Sequence, residues 1–326
     1  MNKIKTAVIG VGHLGQHHAR WYQNIKESEL IGVYDIDKEK CQKVASERGV
    51  TAFSELSEVY DKVDAVSIAV PTNLHHVVAS EFLKNKIHCL IEKPIATTIP
   101  EAEDLTTLAQ KNSVTLAVGH IEHFNPAVKA LKNYELHPRF IEAHRLASFD
   151  PRGTDVAVIL DLMIHDIELS LHLVKSKAQK IEASAVSVIS ESADIANARL
   201  TFENGAVANL TASRISLRGM RKLRIFQKSG YFSLDLAEKQ ADIYRLANRD
   251  DSSVADGMRV PLGKSGQDII YKKAGNKNED MLGMELTDFL QAILNRRSPE
   301  VTAESATEAL RVALEIEKIG VGSVNA

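Results

Sequence analysis

Cysteine is scarce in this chain, with two residues, Cys41 and Cys89, among 326. They fall in a predicted helix and a predicted strand with no metal-like spacing. That leaves no disulfide framework and no zinc ribbon, and predicts free thiols in a reducing compartment. Long apolar runs are missing too, and none reaches the ~20 residues that a membrane-spanning helix needs. Nor is there an excess of positive charge. Forty Lys and Arg face 43 Asp and Glu, a net charge of −3, which excludes the basic footprint of a nucleic-acid or membrane-surface binder. No internal repeat, low-complexity tract or linker interrupts the chain. The first predicted strand begins at Ile4, which leaves no room for a signal peptide and, with the thiols, predicts a cytoplasmic protein. What remains is an ordinary globular composition, 44% hydrophobic and 25% charged, and a length that suits two domains.

The densest signal lies in residues 4–35. An apolar run, Ile4 to Ile9, is followed by Gly10-Val-Gly12-His13-Leu14-Gly15, and a second apolar segment, 30–34, closes on Asp35. That order reads as strand, glycine turn, helix, strand, acid. Gly10 permits the turn, Gly12 lets backbone approach a pyrophosphate, and Gly15 lets helix and strand pack closely. The helix N-terminus offers amide donors to the phosphates, and Asp35 would accept from an adenosine ribose. Ile36 follows the acid and no arginine stands there for a 2′-phosphate, which favours NAD over NADP. Asp37 is the competing acid, but its place before Lys38-Glu39-Lys40 suits a helix N-cap.

Helices predicted over 38–48, 74–85 and 100–111 alternate with strands over 65–70, 87–91 and 114–118, which implies a doubly wound parallel sheet. Ligands of such sheets lie at the carboxyl ends of the strands. The segments Val70-Pro71-Thr72-Asn73 and Ile91-Glu92-Lys93-Pro94 therefore belong to the same crevice as the glycine turn. The expected cofactor residues are Gly10, Gly12, His13, Leu14, Gly15 and Asp35, with Pro71, Thr72, His75, Glu92 and Lys93. His75 opens a helix there and either touches cofactor or bonds nearby backbone.

From about residue 139 the texture changes to consecutive strands, over 140–146, 180–188, 196–202, 207–212, 222–227 and 231–234, with Glu203-Asn204-Gly205 as a hairpin turn. One long helix over 155–174 interrupts them. This predicts α/β architecture in two domains: a parallel doubly wound domain over 1–120, and an α+β substrate domain over 121–326 with an open, mostly antiparallel sheet. Helices over 279–296 and 303–318 end the chain, one of them packing back on the first domain. Residues 245–280 give no assignable pattern. A sheet with helices on one face leaves the other for a partner subunit, so a homo-oligomer, dimer or tetramer, is expected.

Lys93 at a strand end in the crevice can stabilise an alkoxide as hydride leaves, with Glu92 orienting it. In the long helix Asp161, His165, Glu168 and His172 form one polar stripe, read either as a base with its supporting carboxylate or as the wet face of a buried helix. Asp166 lies off the stripe and suits a structural contact. His120 and His123 lack the further ligands a metal needs, so no metal is expected. Arg214, Arg218, Arg221, Lys222 and Arg224 form either a solvated face or a site for substrate phosphates.

Taken together, Gly10-x-Gly12-x-x-Gly15, Glu92-Lys93-Pro94 and Asp161-x-x-x-His165 resemble the Gfo/Idh/MocA family of sugar and polyol dehydrogenases, over essentially the whole chain. The resemblance implies a Rossmann domain followed by an open antiparallel sheet, with Lys93 and His165 catalytic and Asp161 supporting. Residues 119–128, Asp161 to Asp166 and Arg221 to Gln227 resemble a sugar-nucleotide branch of the family. That likeness implies NAD-dependent oxidation of C3 of UDP-N-acetylglucosamine, a 3-keto product passed to an aminotransferase for a diamino lipid A, and substrate contacts from His120, His123, Asn125, Arg152 and Arg214. The chain departs from the pattern in carrying His123 where arginine is expected, and 156–160 where a glycine run often stands. Two rival readings are a free-polyol or inositol dehydrogenase and an NAD-binding sensor without catalysis.

Overall fold

A computed structural model describes residues 3–150, 156–250, 257–263 and 266–322. In chain order it begins β1 (Ile4–Ile9), α1 (His13–Asn24), β2 (Ser28–Tyr34), α2 (Lys38–Arg48), β3 (Thr51–Ala52), α3 (Ser57–Tyr60), β4 (Ala65–Ile68), α4 (His75–Lys84), β5 (His88–Glu92), α5 (Ile99–Asn112) and β6 (Leu116–Gly119). The six strands form a parallel sheet in the order β3-β2-β1-β4-β5-β6. Its central strands read as unbroken apolar runs because both faces are covered: Val8, Ile9, Val66, Ile68 and Ile91 are fully buried. Local chemistry sets the helix limits. Asp37 caps α2 by accepting from Lys40 N at 3.0 Å, and Gly49 ends it in the left-handed region. Thr98 and Glu101 form a reciprocal capping box on α5.

The chain continues through α6 (Pro126–Lys129), β7 (Phe140–Leu146), a π-helical turn (Ile159–Met163) and α7 (Ile164–Val174). Eight strands follow: β8 (Ala178–Val186), β9 (Ile195–Phe202), β10 (Val207–Ser213), β11 (Met220–Gln227), β12 (Gly230–Asp235), β13 (Gln240–Asn248), β14 (Met258–Pro261) and β15 (Gln267–Ala274). Helices α8 (Met281–Asn295) and α9 (Ala303–Gly322) close it. The second sheet has nine strands in the order β14-β15-β13-β12-β11-β7-β10-β9-β8, antiparallel throughout except between β7 and β10. The architecture is α/β, a parallel Rossmann sheet with a mostly antiparallel second sheet. The hairpin at Asn204-Gly205 forms as expected, with Gly205 at φ +79°.

Three local expectations need correction. The strand expected to run to 188 stops at Val186, because the amides of Val188, Ile189 and Ser190 turn in to donate to the Asp194 carboxylate at 2.6–3.0 Å. Residues 245–280 hold most of β13, all of β14 and β15; their strands are polar because one face is open, which hides the alternation. The single helix expected over 155–174 opens on a π turn, with Ile164 N donating five residues back to Ile159 O, and residue 155 lies outside the described residues.

The chain divides into two compact units: residues up to Phe124 with Asp280–Leu310, and Asn125–Glu279 with residues from Arg311. In the first, α8 returns to the sheet, where Leu286, Phe289 and Leu290 join Tyr22, Val8 and Leu90 in one buried cluster. In the second, α7 covers the buried face of β7 and β10. There Arg145 on β7 donates to both oxygens of Asp166 on α7, at 3.1 and 2.8 Å, with both side chains buried. Asp166 is thus a structural contact, off the expected stripe. The opposite face is half-exposed and carries an aromatic ladder, Phe140, Phe226, Tyr231, Tyr244 and Tyr271, with centroids 4.8–5.7 Å apart.

Removing one partner of a buried ion pair strands the other charge, whereas replacing both by apolar groups does not. Arg145→Met is expected to lower unfolding free energy by about 3–5 kcal/mol, and Arg145→Met with Asp166→Leu to recover most of it. Urea titration of the two variants checks both.

Candidate active site

The first unit builds a cradle at the end of β1. Gly10 takes φ +86°, and a Cβ there would lie 2.7 Å from Ala69 O. A Cβ on Gly15 would lie 1.8 Å from Gly10 O, so helix and turn can approach only without a side chain. Around Gly12 the opposite holds: nothing lies within 4 Å of where its Cβ would be. Gly12 is the N-cap of α1, yet no side chain caps the helix and no acid stands in its first turn. The first amides and the positive dipole end are thus left for an anion, with His13 and Leu14 exposed at the mouth. Asp35 follows β2 and braces this turn. Its Oδ2 accepts from Val11 N at 2.7 Å and its Oδ1 from Asp37 N at 2.9 Å. Ile36 beside it is 88% exposed. An open pyrophosphate seat, an uncapped helix and an acid at the ribose position fit a dinucleotide without a 2′-phosphate.

At the ends of β4 and β5 the two expected loops meet through His75, which is buried and bonds Val70 O and Pro94 O, each at 2.9 Å. Of the two roles weighed for it, the structure places backbone contact. Pro71 and Thr72 lead into its helix. The Lys93–Pro94 peptide is cis.

Glu92 turns back under this loop. Its Oε1 lies 2.9 Å from His18 Nε2, its Oε2 accepts from Lys93 N at 3.3 Å, and its carboxylate rests on Gly119, whose Cβ would meet Oε2 at 3.0 Å. Burial pushes the Glu92 carboxyl up, but the His18 hydrogen bond and the charges of His18 and Lys93 outweigh it and hold the group below the usual range. Close by on α8, Glu285 is buried with no hydrogen-bond partner for either oxygen among the described residues. Burial, reinforced by the charges of Glu92 and Asp288, raises its pKa well above the ordinary carboxyl value, so it stands as the neutral acid. Sequence reasoning missed His18, Gly119 and Glu285. A lone acid inside the apolar pattern of α8 is the one signal that could have found Glu285.

The remaining expected residues separate. His120 and His123 follow β6 and are buried, His123 Nε2 lying 3.6 Å from Glu300 Oε2. Asn125 belongs to the second unit, where its amide donates to Leu236 O at 2.9 Å and accepts from Ala127 N at 3.0 Å as the cap of α6. Arg214 is also buried, donating to Val156 O beside Asp194. Both side chains, expected at the substrate, hold backbone instead. Arg152 lies outside the described residues. The basic run 214–224 disperses, with Arg224 on Glu142 and Lys222 3.8 Å from Asp235.

Asp161 and His165 are half-buried at the junction of the π turn and α7. The expected stripe does not keep one environment: Glu168 is buried and His172 exposed, because the wider first turn shifts the helical register. Among the described residues no three His, Cys, Asp or Glu converge as metal ligands.

Residues 4–120 match a family model described as an oxidoreductase family, NAD-binding Rossmann fold, and 135–233 match the GFO/IDH/MocA C-terminal domain. The UDP-N-acetylglucosamine 3-dehydrogenase of Acidithiobacillus ferrooxidans is 38% identical over 317 residues, covering 97% of each chain. Its solved structure covers 98% of both chains with a TM-score of 0.88 and 36% identity. The myo-inositol 2-dehydrogenase of Thermotoga maritima is 24% identical over 334 residues, 97% of this chain and 96% of its own. A structure of GenD2 from gentamicin A biosynthesis in complex with NAD shares the fold, with a TM-score of 0.80 at 18% identity over 99% of this chain and 95% of its own. This chain belongs to the Gfo/Idh/MocA oxidoreductase family, an enzyme acting on CH–OH groups with NAD as cofactor.

Proposed function

We propose that the protein oxidises a secondary hydroxyl of a sugar nucleotide, C3 of UDP-N-acetylglucosamine, to the 3-keto sugar. One observation carries the reading. The likeness to the Acidithiobacillus enzyme runs through both units, so it includes the unit to which substrate choice is assigned as well as the cofactor unit. NAD, when bound, supplies the hydride acceptor. His165 accepts the hydroxyl proton on its imidazole, Asp161 supports the charged ring, and the Lys93 ammonium stabilises the alkoxide. Glu92, fixed by His18, holds the backbone of Lys93 in place. His120, His123 and Arg152 are assigned to the sugar nucleotide. Asn125 and Arg214 serve it through the backbone they hold.

The 3-keto product suits transamination on the way to a diamino lipid A, which places the enzyme in the cytoplasm. No helix among the described residues is long and apolar enough to cross a membrane. The aromatic ladder on the open sheet face supports association of identical subunits.

The test is NADH formation, followed in the near ultraviolet, from NAD and UDP-N-acetylglucosamine with an amine-transfer step to draw off the ketone. Turnover is expected with the nucleotide sugar and not with free N-acetylglucosamine or inositol; the reverse pattern would replace the substrate. Lys93→Met is expected to cut kcat by about 1,000-fold while leaving NAD affinity nearly unchanged, because it removes an interaction made in the transition state. Asp35→Ala combined with Ile36→Arg is expected to move the NADP over NAD preference by at least about tenfold, read as the ratio of kcat/KM, since it exchanges a ribose acceptor for a phosphate donor.

A further inference from the structure

His75 is 1% exposed, and both its ring nitrogens face carbonyls: Nδ1 lies 2.9 Å from Pro94 O and Nε2 2.9 Å from Val70 O. A carbonyl oxygen only accepts, so both contacts are hydrogen bonds only when both nitrogens carry hydrogen. A neutral ring would satisfy one carbonyl and set a lone pair against the other. We propose that His75 is held as a buried imidazolium and is a positioning residue, stapling the carboxyl end of β4 to that of β5 and so fixing Lys93, the neighbour of Pro94, for hydride transfer. The catalytic half of this inference rests on the function proposed above; the charge state does not.

The surroundings show how a buried cation is tolerated. Burial alone depresses the pKa of His75, and the carbonyls of Pro94 and Val70 and the charge of Glu92 act against it. Two carbonyls at hydrogen-bond distance decide between these influences, because relaxing either contact would part the staple. Of the charged groups on the elements around it, Glu92 and Lys93 lie at the end of β5. His76, next on α4, is 2.8 Å from Asp104 of α5. Glu92 is the group that lowers the cost of the charge. No other printed contact ties the Val70 carbonyl to the Pro94 loop, and each loop holds residues of the cofactor crevice.

The charge state is tested by long-range proton–nitrogen spectra of the 15N-labelled protein at pH 7.5, with the His75 signals assigned by their loss in His75→Gln. Both ring nitrogens are expected at protonated-ring shifts, while exposed His137 shows the neutral pattern. A single neutral tautomer at His75 overturns the proposal. For positioning, His75→Gln is expected to lower kcat about tenfold or more with NAD affinity within about threefold, since the cradle at Gly12 is untouched. Equal loss of NAD affinity, or an unchanged kcat, overturns that role. If the variant does not fold, the wild-type titration decides, with the His75 signals assigned by proximity to Pro94. A wild-type protein that turns over no sugar nucleotide, yet shows the imidazolium, would sink the proposed substrate and leave the staple standing.

Discussion

The approach of the Gly10 carbonyl to the Cα of Gly15 is the constraint on which the cofactor unit depends. With 1.8 Å left for a Cβ, the contact sets how far α1 sits along β1, and little freedom remains afterwards. Two consequences follow from that one registration. The uncapped amides at Gly12 face open space, and one turn further on His18 and Tyr22 point inward at fixed depth, His18 to Glu92 and Tyr22 to Ser67 at 2.7 Å. The same glycine contact that opens a phosphate seat therefore supports, from beneath, the strand end carrying Lys93.

Buried acids in this unit hold different charge states because their partners differ. Glu92 has a ring nitrogen and a backbone amide, and is ionised; Glu285 has neither, and is neutral. Two neighbouring carboxylates in a poorly solvated interior resist ionising together, so the assignment of charge to one is also its denial to the other. In the second unit Asp194 shows the opposite limit. Burial opposes its charge, but three loop amides and the Ser190 hydroxyl more than compensate, and its pKa falls far below the usual range. The loop they form then receives Val158 N at Ala193 O, at the entry to the helix that carries His165.

Periodicity made much of this fold legible. The limits of α2 and of β7 follow the sequence pattern residue for residue, because Asp37 and Gly49 punctuate the first and strict alternation marks the second. The glycine turn, Asp35 and the two crevice loops were legible for the same reason: each is a local motif at a strand end. What escaped depends on partners distant in sequence. Asn125 looked like a substrate ligand until Leu236 appeared opposite it, and Arg214 until Val156 did. Glu285 meets Glu92 across almost two hundred residues of chain. The π turn escaped because the sequence pattern carries the 3.6-residue period and not the hydrogen bond that breaks it.

The second unit is inserted between β6 and α8, and that topology separates two tasks. Everything that seats the dinucleotide, braces Asp35 and fixes the Lys93 loop lies in the first unit, so the inserted unit can change its substrate chemistry without disturbing the cradle. Relatives named for inositol and for a nucleotide sugar are what such a division permits. The first unit is nonetheless incomplete until the chain returns. Leu286, Phe289 and Leu290 of α8 share a buried cluster with Tyr22 and Leu90, and Gly283 lets the ring of Trp21 approach within about 3 Å of where its Cβ would be. Residues 1–124 alone would leave that apolar face in water and Glu92 without its neutral neighbour. The cofactor site is thus closed by a helix that follows the substrate unit in sequence, and its electrostatics are set by residues on both sides of the insertion.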